Sequence, residues 1–430
     1  MGTEISLDIG GMTIDWSKNS MGVDHGPLFQ EGDRKVIRSD QIDYDYFAEN
    51  DEDPTSMEMA LVRYLEDVVP RLELLGFTLD RARDEYDGAI AADREERSSL
   101  DDEPTTPRDL MNFDEFRAFA TKYPVQSLDG TFVESGDQRK ARGRFSDVGV
   151  TDRIPCSAFG RSPAYSERSH FAELVGILHP YSLLRVLAEN SANLDAELVW
   201  QYGPLIHAGW ASERDFVPAA RRGHTFLIAT EGSSDVHIIR HALSVLRPEI
   251  FDFFRFIDVS EGHPFSGTGN LLKFAEGLVK IDVQNQLVFL FDNDAEGFDA
   301  YRRLQRLTLP TNMRGMMLPE LDVFWNFPAR GPDGIGTADI NRRAAAIECY
   351  LDLNLAAYPP AKVVWTNYKR DIDMYHGALE HKDSYTKAFF DQTPETLSSG
   401  NYDVSKLRAV LDAIVRECTT IAEGVETERA

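Results

Sequence analysis

Acidic side chains directly follow two strongly apolar segments of the chain. Glu231 follows the apolar segment 224–230, and Asp292 and Asp294 follow the segment 286–291. Each segment has the length of a β-strand, and in an open α/β sheet ligand-binding groups collect beyond the carboxyl ends of the strands. If the two strands are neighbours, we expect these three carboxylates to lie close together.

The grouping of these carboxylates indicates the chemistry that they favour. Carboxylates packed together repel one another, and a hard divalent cation with oxygen ligands removes that penalty. In an extended D-x-D segment, the side chains of Asp292 and Asp294 share one face. Asp235 lies four residues after Glu231, one helical turn away if a helix begins promptly. Gly232 permits a tight strand-to-helix turn, where a helix N-terminus favours a phosphate group.

Each of these motifs also has an ordinary structural interpretation. The segment around Glu231 can be a plain turn and helix N-cap, and the segment around Asp292 can be a solvated loop or an acidic helix start. His237 and His241 are four residues apart and can be two ligands on one helix face, or simply a polar stripe. Ser233 lacks the G-x-S-x-G context of a nucleophile.

The segments between the acidic residues alternate between strand and helix patterns, which predicts βαβ units and a parallel, buried sheet. The pattern of residues 339–354 predicts a further helix, and that of residues 403–422 predicts a terminal helix. In the first half, 56–87 have helical periodicity, 92–109 resemble an exposed polar loop, and 112–120 and 167–190 resemble helices. The alternating segments are predicted as strands at 224–230, 253–259, 286–291 and 313–318, and as helices at 235–246, 271–279 and 295–307.

The Glu231 motif followed by the Asp292/Asp294 motif resembles the TOPRIM domain of topoisomerases, primases and OLD-type nucleases. The E-G-x-x-D form that ends at Asp235 is closest to the OLD-type nucleases, and the spacing of about sixty residues fits a TOPRIM core. Gly267 and Gly269 fall where that family often has a glycine-rich turn, although a plain loop is the alternative.

The same resemblance implies two further site residues. Glu348 lies in Ile347-Glu348-Cys349-Tyr350-Leu351, which is similar to an acidic motif that completes a second metal site in OLD-type nucleases. Lys382 lies where those nucleases place a lysine that stabilises transition-state charge. The family lysine usually follows a glycine, whereas His381 precedes Lys382, so Lys387 or a surface role remains open.

The N-terminal half resembles the HEPN/Toprim N-terminal domain, which precedes effector domains in bacterial conflict systems. The resemblance rests on the segments 6–10 (SLDIG), 15–19 (DWSKN), 24–30 (DHGPLFQ) and 180–190 (PYSLLRVLAEN). It implies a defence-type nuclease with a sensing or regulatory front end. The ordinary interpretation of Asp15, Lys18 and His25 is a hydrogen-bonded turn network.

Together these patterns predict an α/β fold, with a TOPRIM-type, mostly parallel sheet flanked by helices. A smaller α+β N-terminal domain and a helical linker precede that sheet. The predicted domains are a HEPN/Toprim-type regulatory domain at 1–165, a helical linker at 166–223, a TOPRIM catalytic domain at 224–365 and a C-terminal helical extension at 366–430.

Composition excludes several classes of protein. The 430 residues carry a formal net charge of −27, which excludes a broadly basic nucleic-acid-coating protein. Residues 1–100 alone contain 24 acidic and 10 basic side chains. No apolar run approaches the ~20 residues of a membrane span, and three scattered cysteines favour the cytoplasm over a disulfide framework. Arginines that follow the D-x-D segment can form a local phosphate track or solvated helix faces: Arg302, Arg303, Arg306, Arg314, Arg342 and Arg343.

The leading hypothesis is a metal-dependent nuclease that hydrolyses phosphodiester bonds in DNA or RNA, including tRNA, as an anti-phage effector. One or two Mg²⁺ or Mn²⁺ ions are expected on Glu231, Asp235, Asp292, Asp294 and Glu348, with Glu231 and Lys382 as catalytic groups. The alternative is a regulatory TOPRIM protein that acts through a partner without turnover. A primase or a topoisomerase is a third option. Against it, the chain has no zinc-ribbon cysteine pattern, and no tyrosine is marked as a strand-passage nucleophile. A partner protein and a homodimer stay open, and no membrane association is expected.

Overall fold

The computed structural model describes residues 2–39, 42–100, 108–134, 137–157, 160–258, 267–332, 334–355 and 358–429. The chain divides into two compact units, Met1–Ala220 and Arg221–Ala430. Both units combine helices with β-sheets, so the α/β fold class is confirmed. None of the helices in the described ranges is long and apolar enough to cross a membrane.

The first unit is built on a five-stranded antiparallel sheet in the order β2-β1-β5-β4-β3. Strand β5 pairs with both β1 and β4, so the segment 166–223, predicted as a helical linker, supplies the middle strand of this sheet. The elements of the unit are β1 (Glu4–Ile9), β2 (Met12–Lys18), β3 (Arg34–Val36), α1 (Tyr44–Asn50), β4 (Met59–Tyr64), α2 (Leu65–Leu74), α3 (Leu79–Leu100), α4 (Phe113–Ala120), α5 (Gln138–Arg142), α6 (Val148–Thr151), α7 (Glu167–Val175), α8 (Pro180–Leu187), β5 (Glu197–Gln201) and α9 (Gly203–His207).

Two secondary-structure predictions for this unit were wrong. The segment 56–87 was predicted as helical, but it begins with β4 because Ala60, Leu61 and Val62 find partners on β3 and β5. The loop predicted at 92–109 is helical as far as Leu100 in α3. Good helix-forming residues and the Asp93–Arg97 ion pair of 3.0 Å, one turn apart, support that extension. Residues 101–107 of the predicted loop lie outside the described residues.

The second unit is built on a four-stranded parallel sheet in the order β10-β8-β6-β7. All six residues of the central strand β8 are buried, as expected for a parallel strand covered on both faces. The elements that form this sheet and its helices are β6 (Phe226–Thr230), α10 (Ser233–Leu246), β7 (Phe254–Ile257), α11 (Thr268–Lys280), β8 (Gln286–Phe291), β9 (Asn293–Asp294), α12 (Ala295–Leu304) and β10 (Met313–Met317). Leu271, Phe289 and Leu304 are among the residues of the core on one face.

A second sheet, in the order β12-β11-β14-β15, and a short ribbon of β13 with β9 complete the unit. The remaining elements are β11 (Phe327–Gly331), β12 (Gly334–Ala338), β13 (Ala344–Ala345), β14 (Val363–Lys369), β15 (Met374–Leu379), α13 (Lys382–Phe390), α14 (Pro394–Ser398) and α15 (Ser405–Arg429). The predicted helix at 339–354 was wrong, because β13 pairs with β9 and only a 3-10 turn, Ile347–Tyr350, follows. The β14–β15 hairpin crosses the boundary predicted at 365/366.

Candidate functional site

The parallel sheet brings the two acidic motifs to one edge. Strands β6 and β8 are direct neighbours, with Thr230 opposite Leu290, so the residues that follow both strands leave the sheet side by side. The backbone N–H of Asp292 donates to Glu231 Oε1 at 3.1 Å. The structure therefore places Glu231 beside the D-x-D segment, as the alternation of strands and helices predicts.

Glu231 is held by the turn that leads into α11. Thr268 Oγ1 donates to Glu231 Oε2, and the backbone N–H of Gly267 donates to the Glu231 carbonyl oxygen at 2.6 Å. Gly267 has a φ of +83°, a conformation that favours glycine. Of the two glycines noted in the sequence, Gly267 thus positions Glu231, whereas Gly269 lies within α11.

The D-x-D segment is extended and alternates its side chains. Asp294 caps α12, since its Oδ1 accepts hydrogen bonds of 2.8 Å from the backbone N–H groups of Glu296 and Gly297. Asn293 is buried between the two aspartates, and its amide donates to Asn341 Oδ1 and Tyr350 Oη at 3.1 Å each. The asparagine thereby fixes the direction in which both carboxylates project.

Glu348 and Asp235 lie at the same edge. The backbone N–H of Ile347 donates to Asp292 Oδ1 at 3.2 Å, which attaches the 3-10 turn to the D-x-D segment. Glu348 is 5% exposed and accepts a hydrogen bond of 3.4 Å from Ser234 Oγ. Asp235 Oδ2 accepts from the backbone N–H of Gly232 at 3.0 Å, at the start of α10.

Lys382 places a positively charged side chain beside the carboxylate cluster. Its Nζ lies 3.6 Å from Glu348 Oε1, and its side chain is 55% exposed. Lys387, the alternative, lies five residues further along α13, about 140° around the helix axis from Lys382, and is exposed. The structure therefore places Lys382 beside one of the acidic residues.

Burial and mutual repulsion raise the pKa values of four of these carboxyl groups. Burial, followed by the nearby charge of Asp294 among other groups, raises the pKa of Glu231 to about 7. Burial, followed by the charge of Glu348, raises the pKa of Asp235 to about 7 as well. The pKa of Asp292 is well above its usual value, and that of Asp294 is raised, both chiefly by burial. Such a cluster is unfavourable when fully ionised without a cation.

The donor set fits a hard divalent cation, because every candidate ligand is a carboxylate oxygen. Across the ranges that the structure describes, however, no three His, Cys, Asp or Glu side chains stand in a ready-made metal-binding arrangement. Glu231 has both of its oxygens in hydrogen bonds, and Asp294 caps a helix. The chemistry of the donors fits the metal, and its binding would require small rotations of these side chains.

Sequence reasoning missed two groups at or near this edge. His376 on β15 has Nδ1 3.7 Å from Asp294 Oδ2, and this buried nitrogen has no hydrogen-bond partner in the part of the chain that the structure describes. Nothing in the sequence links Asp294 on β9 to His376 on β15, because the two residues are far apart along the chain. Asp258 directly follows β7, is 1% exposed and lies 2.9 Å from His237 Nε2. The rule that identified Asp292, an acid after an apolar strand, also identifies Asp258.

Other sequence candidates have structural roles. His237 pairs with Asp258, whereas His241 packs against Phe389 and Phe390, so the two histidines do not form one site. In the first unit His25 Nε2 lies 3.1 Å from Asp15 Oδ2, while Lys18 pairs with Glu4 at 2.9 Å. Three of the arginines considered as a phosphate track are in ion pairs: Arg303 with Asp299, Arg314 with Glu417 and Arg342 with Glu320.

Comparison with known protein families identifies the first half of the chain. Residues 1–224 match the family model described as HEPN/Toprim N-terminal domain 1, so the chain belongs to that family. No curated protein and no solved structure matches the chain. The matched residues end before the carboxylate cluster, which therefore has to be interpreted from its own chemistry.

Proposed function

We propose that the second unit is a TOPRIM-type domain that hydrolyses phosphodiester bonds with Mg²⁺ or Mn²⁺. The observation that carries the proposal is the gathering of Glu231, Asp235, Asp292, Asp294 and Glu348 at the carboxyl edge of one parallel sheet. Their raised pKa values support it, because clustered, buried carboxyl groups are frequent at functional sites. The family description, which names HEPN and Toprim, supports a nuclease-related role.

Each group has a distinct task in this proposal. Asp292, Asp294, Asp235 and Glu348 would hold one or two ions, which when bound activate water and stabilise charge on the phosphate. Glu231, whose pKa is raised chiefly by burial, would act as a general acid or base. Lys382 Nζ, beside Glu348, would offset negative charge on the phosphate in the transition state.

The substrate in this proposal is a nucleic acid, DNA or RNA, with tRNA included. The chain would serve as an anti-phage defence effector in the cytoplasm, where the N-terminal unit or a partner protein controls it. These roles and a homodimeric state remain predictions. The proposed activity itself requires only a phosphodiester and a divalent ion.

A metal-dependent digestion panel tests the proposal. The full chain is incubated with plasmid, single-stranded DNA and tRNA, with Mg²⁺, Mn²⁺ or EDTA. We expect cleavage of at least one substrate. Glu231→Gln and Asp292→Asn should each reduce its rate at least 1,000-fold, which corresponds to about 4 kcal/mol or more of activation barrier. Both variants should keep the circular dichroism spectrum of the wild type. Asp299→Asn removes an acid of α12 that pairs with Arg303, and serves as the matched control. Full activity of either site variant would falsify the proposal.

One observation favours a second candidate, a TOPRIM-like protein that binds a partner or a metal without turnover. Within the described residues the carboxylates do not stand in a ready-made metal arrangement. This alternative predicts that nucleic acid or Mn²⁺ binds to the full chain while no substrate of the panel is cut. Metal-dependent cleavage that is lost in Asp292→Asn excludes it.

A further inference from the structure

The N-terminal unit contains two adjoining cavities of about 720 Å³ and 450 Å³. Cys156, Gly160 and Arg161 line both, so the two cavities meet at these residues. Pockets for nucleotide-sized or drug-sized ligands have volumes of about 300–1,000 Å³. The cavities are therefore large enough for such a ligand, and none of the roles described above uses them.

Three arginines line the cavities without a carboxylate partner in the described part of the chain. Arg168 donates to the carbonyl oxygens of Gly11 at 3.2 Å and Leu128 at 3.0 Å, and Arg161 to that of Ile154 at 2.8 Å. Arg142 lines the smaller cavity. Backbone carbonyls orient a guanidinium without neutralising its charge. The cavities thus retain positive charge in a chain whose net charge is −27.

Neighbouring arginines show the contrast. Arg144 pairs with Glu167 at 2.5 Å, and both Arg97 and Arg108 pair with Asp93, at 3.0 and 2.7 Å. Their charges are compensated within the fold. Arg142, Arg161 and Arg168 form no ion pair with a carboxylate of the described residues, although the charge of Arg168 acts on Asp8 and Asp129. All three lie at the walls of a cavity, where an anion can reach them.

A buried side chain with one unpaired nitrogen lies at the same place. His170 lines the smaller cavity and is 6% exposed; its ring has a hydrogen bond with the backbone of Phe145, whereas its Nε2 has no partner among the described residues. Burial and then the charges of Arg142 and Arg161 lower its pKa to about 4, so the imidazole is neutral and both guanidinium groups are near it. An unmet hydrogen-bonding atom in a buried position indicates a missing partner.

The walls also carry groups suited to a nucleoside. Trp16, on β2, lines the larger cavity and is 62% exposed, which leaves its ring free to stack on a base. Asp152 and Glu173 line the cavities as well, and Glu173 Oε1 accepts from the backbone N–H of Ser162 at 3.2 Å. Carboxylates suit ribose hydroxyls or amino groups and disfavour a ligand that is anionic throughout.

We propose that these two adjacent cavities of the N-terminal unit bind a nucleoside phosphate, with its phosphate on Arg142, Arg161 and Arg168 and its base on Trp16. The proposal concerns the first unit and does not depend on phosphodiester cleavage by the second. It assigns a ligand class to the part of the chain that the family model covers.

Isothermal titration calorimetry on the full chain tests this binding. The probes are the four ribonucleoside triphosphates, the four corresponding nucleosides and pyrophosphate. EDTA is present so that no metal links a phosphate to the carboxylate cluster. We expect at least one triphosphate to bind saturably, and the matching nucleoside and pyrophosphate to bind at least tenfold more weakly.

Variants locate the site. We expect Arg161→Gln to weaken binding at least tenfold, and Arg142→Gln and Trp16→Ala at least threefold. Arg139→Gln, an exposed change of the same charge on α5, should leave the affinity unchanged. Arg161 donates to a backbone carbonyl, whereas Arg142 makes no such contact with the described residues. Arg142→Gln therefore keeps the test valid if Arg161→Gln unfolds. Glu231→Gln should bind normally, which separates this site from the proposed nuclease.

Three results would overturn the proposal. The first is the absence of saturable binding by every triphosphate at millimolar concentration. The second is equal affinity in wild type, Arg142→Gln and Arg161→Gln, which places the ligand elsewhere. The third is that pyrophosphate binds as tightly as the triphosphates and that Trp16→Ala leaves the affinities unchanged. In that case the site would recognise phosphate alone and not a nucleoside.

Discussion

At the scale of single residues, the lysine that completes the carboxylate cluster is the assignment most open to test. Lys382 lies 3.6 Å from Glu348, and Lys387 lies five residues further along the same helix, so the two assignments can be compared directly. We expect Lys382→Met to lower the cleavage rate at least 100-fold, by about 3 kcal/mol of barrier, because charge on the phosphate would lose the cationic side chain that the proposal assigns to it.

Lys387→Met is the matched control for that prediction, since it removes the same charge from an exposed position of α13. Single-turnover cleavage and Mn²⁺ affinity are measured on both variants. A loss of rate with unchanged Mn²⁺ affinity in Lys382→Met alone supports the assignment. Equal rates in the two variants, or a loss confined to Lys387→Met, contradict it.

At the scale of elements, the strand ends of the parallel sheet could be predicted from sequence, whereas the parts that complete the site could not. Strands β6 and β8 are strongly apolar and are followed at once by acids, so local pattern and final position agree. Residues 339–354 also have a helical pattern, but β13 instead pairs with β9, and Asp292 accepts a hydrogen bond from the turn that follows. Partners about fifty residues away determine that structure, and periodicity within the segment carries no information about them.

The position of His376, on the β14–β15 hairpin, also depends on partners that are distant in the sequence. Its neighbour in space, Asp294, lies on an element that precedes β15 by many residues, and only the packing of β15 brings the two together. Lys369 on β14 reaches Glu296 at 2.7 Å in the same way. The identity of the acids could thus be predicted from the sequence, while the surrounding basic groups could be found only in the folded chain.

A close approach between two elements gives a prediction about α12. A Cβ on Gly297 would overlap the carbonyl oxygen of Asp292 and lie 2.9 Å from Glu231 Oε1. We expect Gly297→Ala to lower the free energy of unfolding by about 1–3 kcal/mol through overpacking, and to abolish cleavage by moving the D-x-D segment. Urea unfolding and the cleavage assay measure the two effects.

Gly277→Ala is the matched control, since a Cβ at this position of α11 meets no atom within 4 Å. Alanine is the better helix former, so we expect a gain in stability of about 0.5–1 kcal/mol and unchanged cleavage. If Gly297→Ala behaves like Gly277→Ala, the close packing of α12 against the acidic edge does not position the site.

At the scale of the whole molecule, the net charge of −27 conceals local differences. The acids at the edge of the parallel sheet lie close enough to raise one another's pKa values. In the first unit, arginines without carboxylate partners line the two cavities. A strongly acidic chain can therefore contain both a site that favours a cation and a site that favours an anion, each within its own unit.

The buried His170 links this charge distribution to the stability of the protein. Burial and the charges of Arg142 and Arg161 lower its pKa to about 4, with Glu173 acting in the opposite direction, whereas an unfolded histidine has a pKa of about 6.5. As the pH falls from 7.5 to 5, His170 becomes protonated in the unfolded chain, whereas it stays neutral in the folded chain. The proton therefore favours unfolding, and the stability contribution of the neutral His170 is lost over that range.

We expect the difference in free energy of unfolding between wild type and His170→Gln to shift by about 2 kcal/mol in favour of the variant as the pH falls from 7.5 to 5. Urea unfolding followed by tryptophan fluorescence measures this, because the buried Trp200 reports on the first unit. Comparing the two proteins at each pH cancels the titration of all other groups. His207→Gln, which alters an exposed histidine of the same unit, is the matched control. A constant difference between wild type and His170→Gln across the range would mean that His170 takes up its proton at the same pH in the folded and unfolded chains, and that burial and the nearby arginines do not lower its pKa.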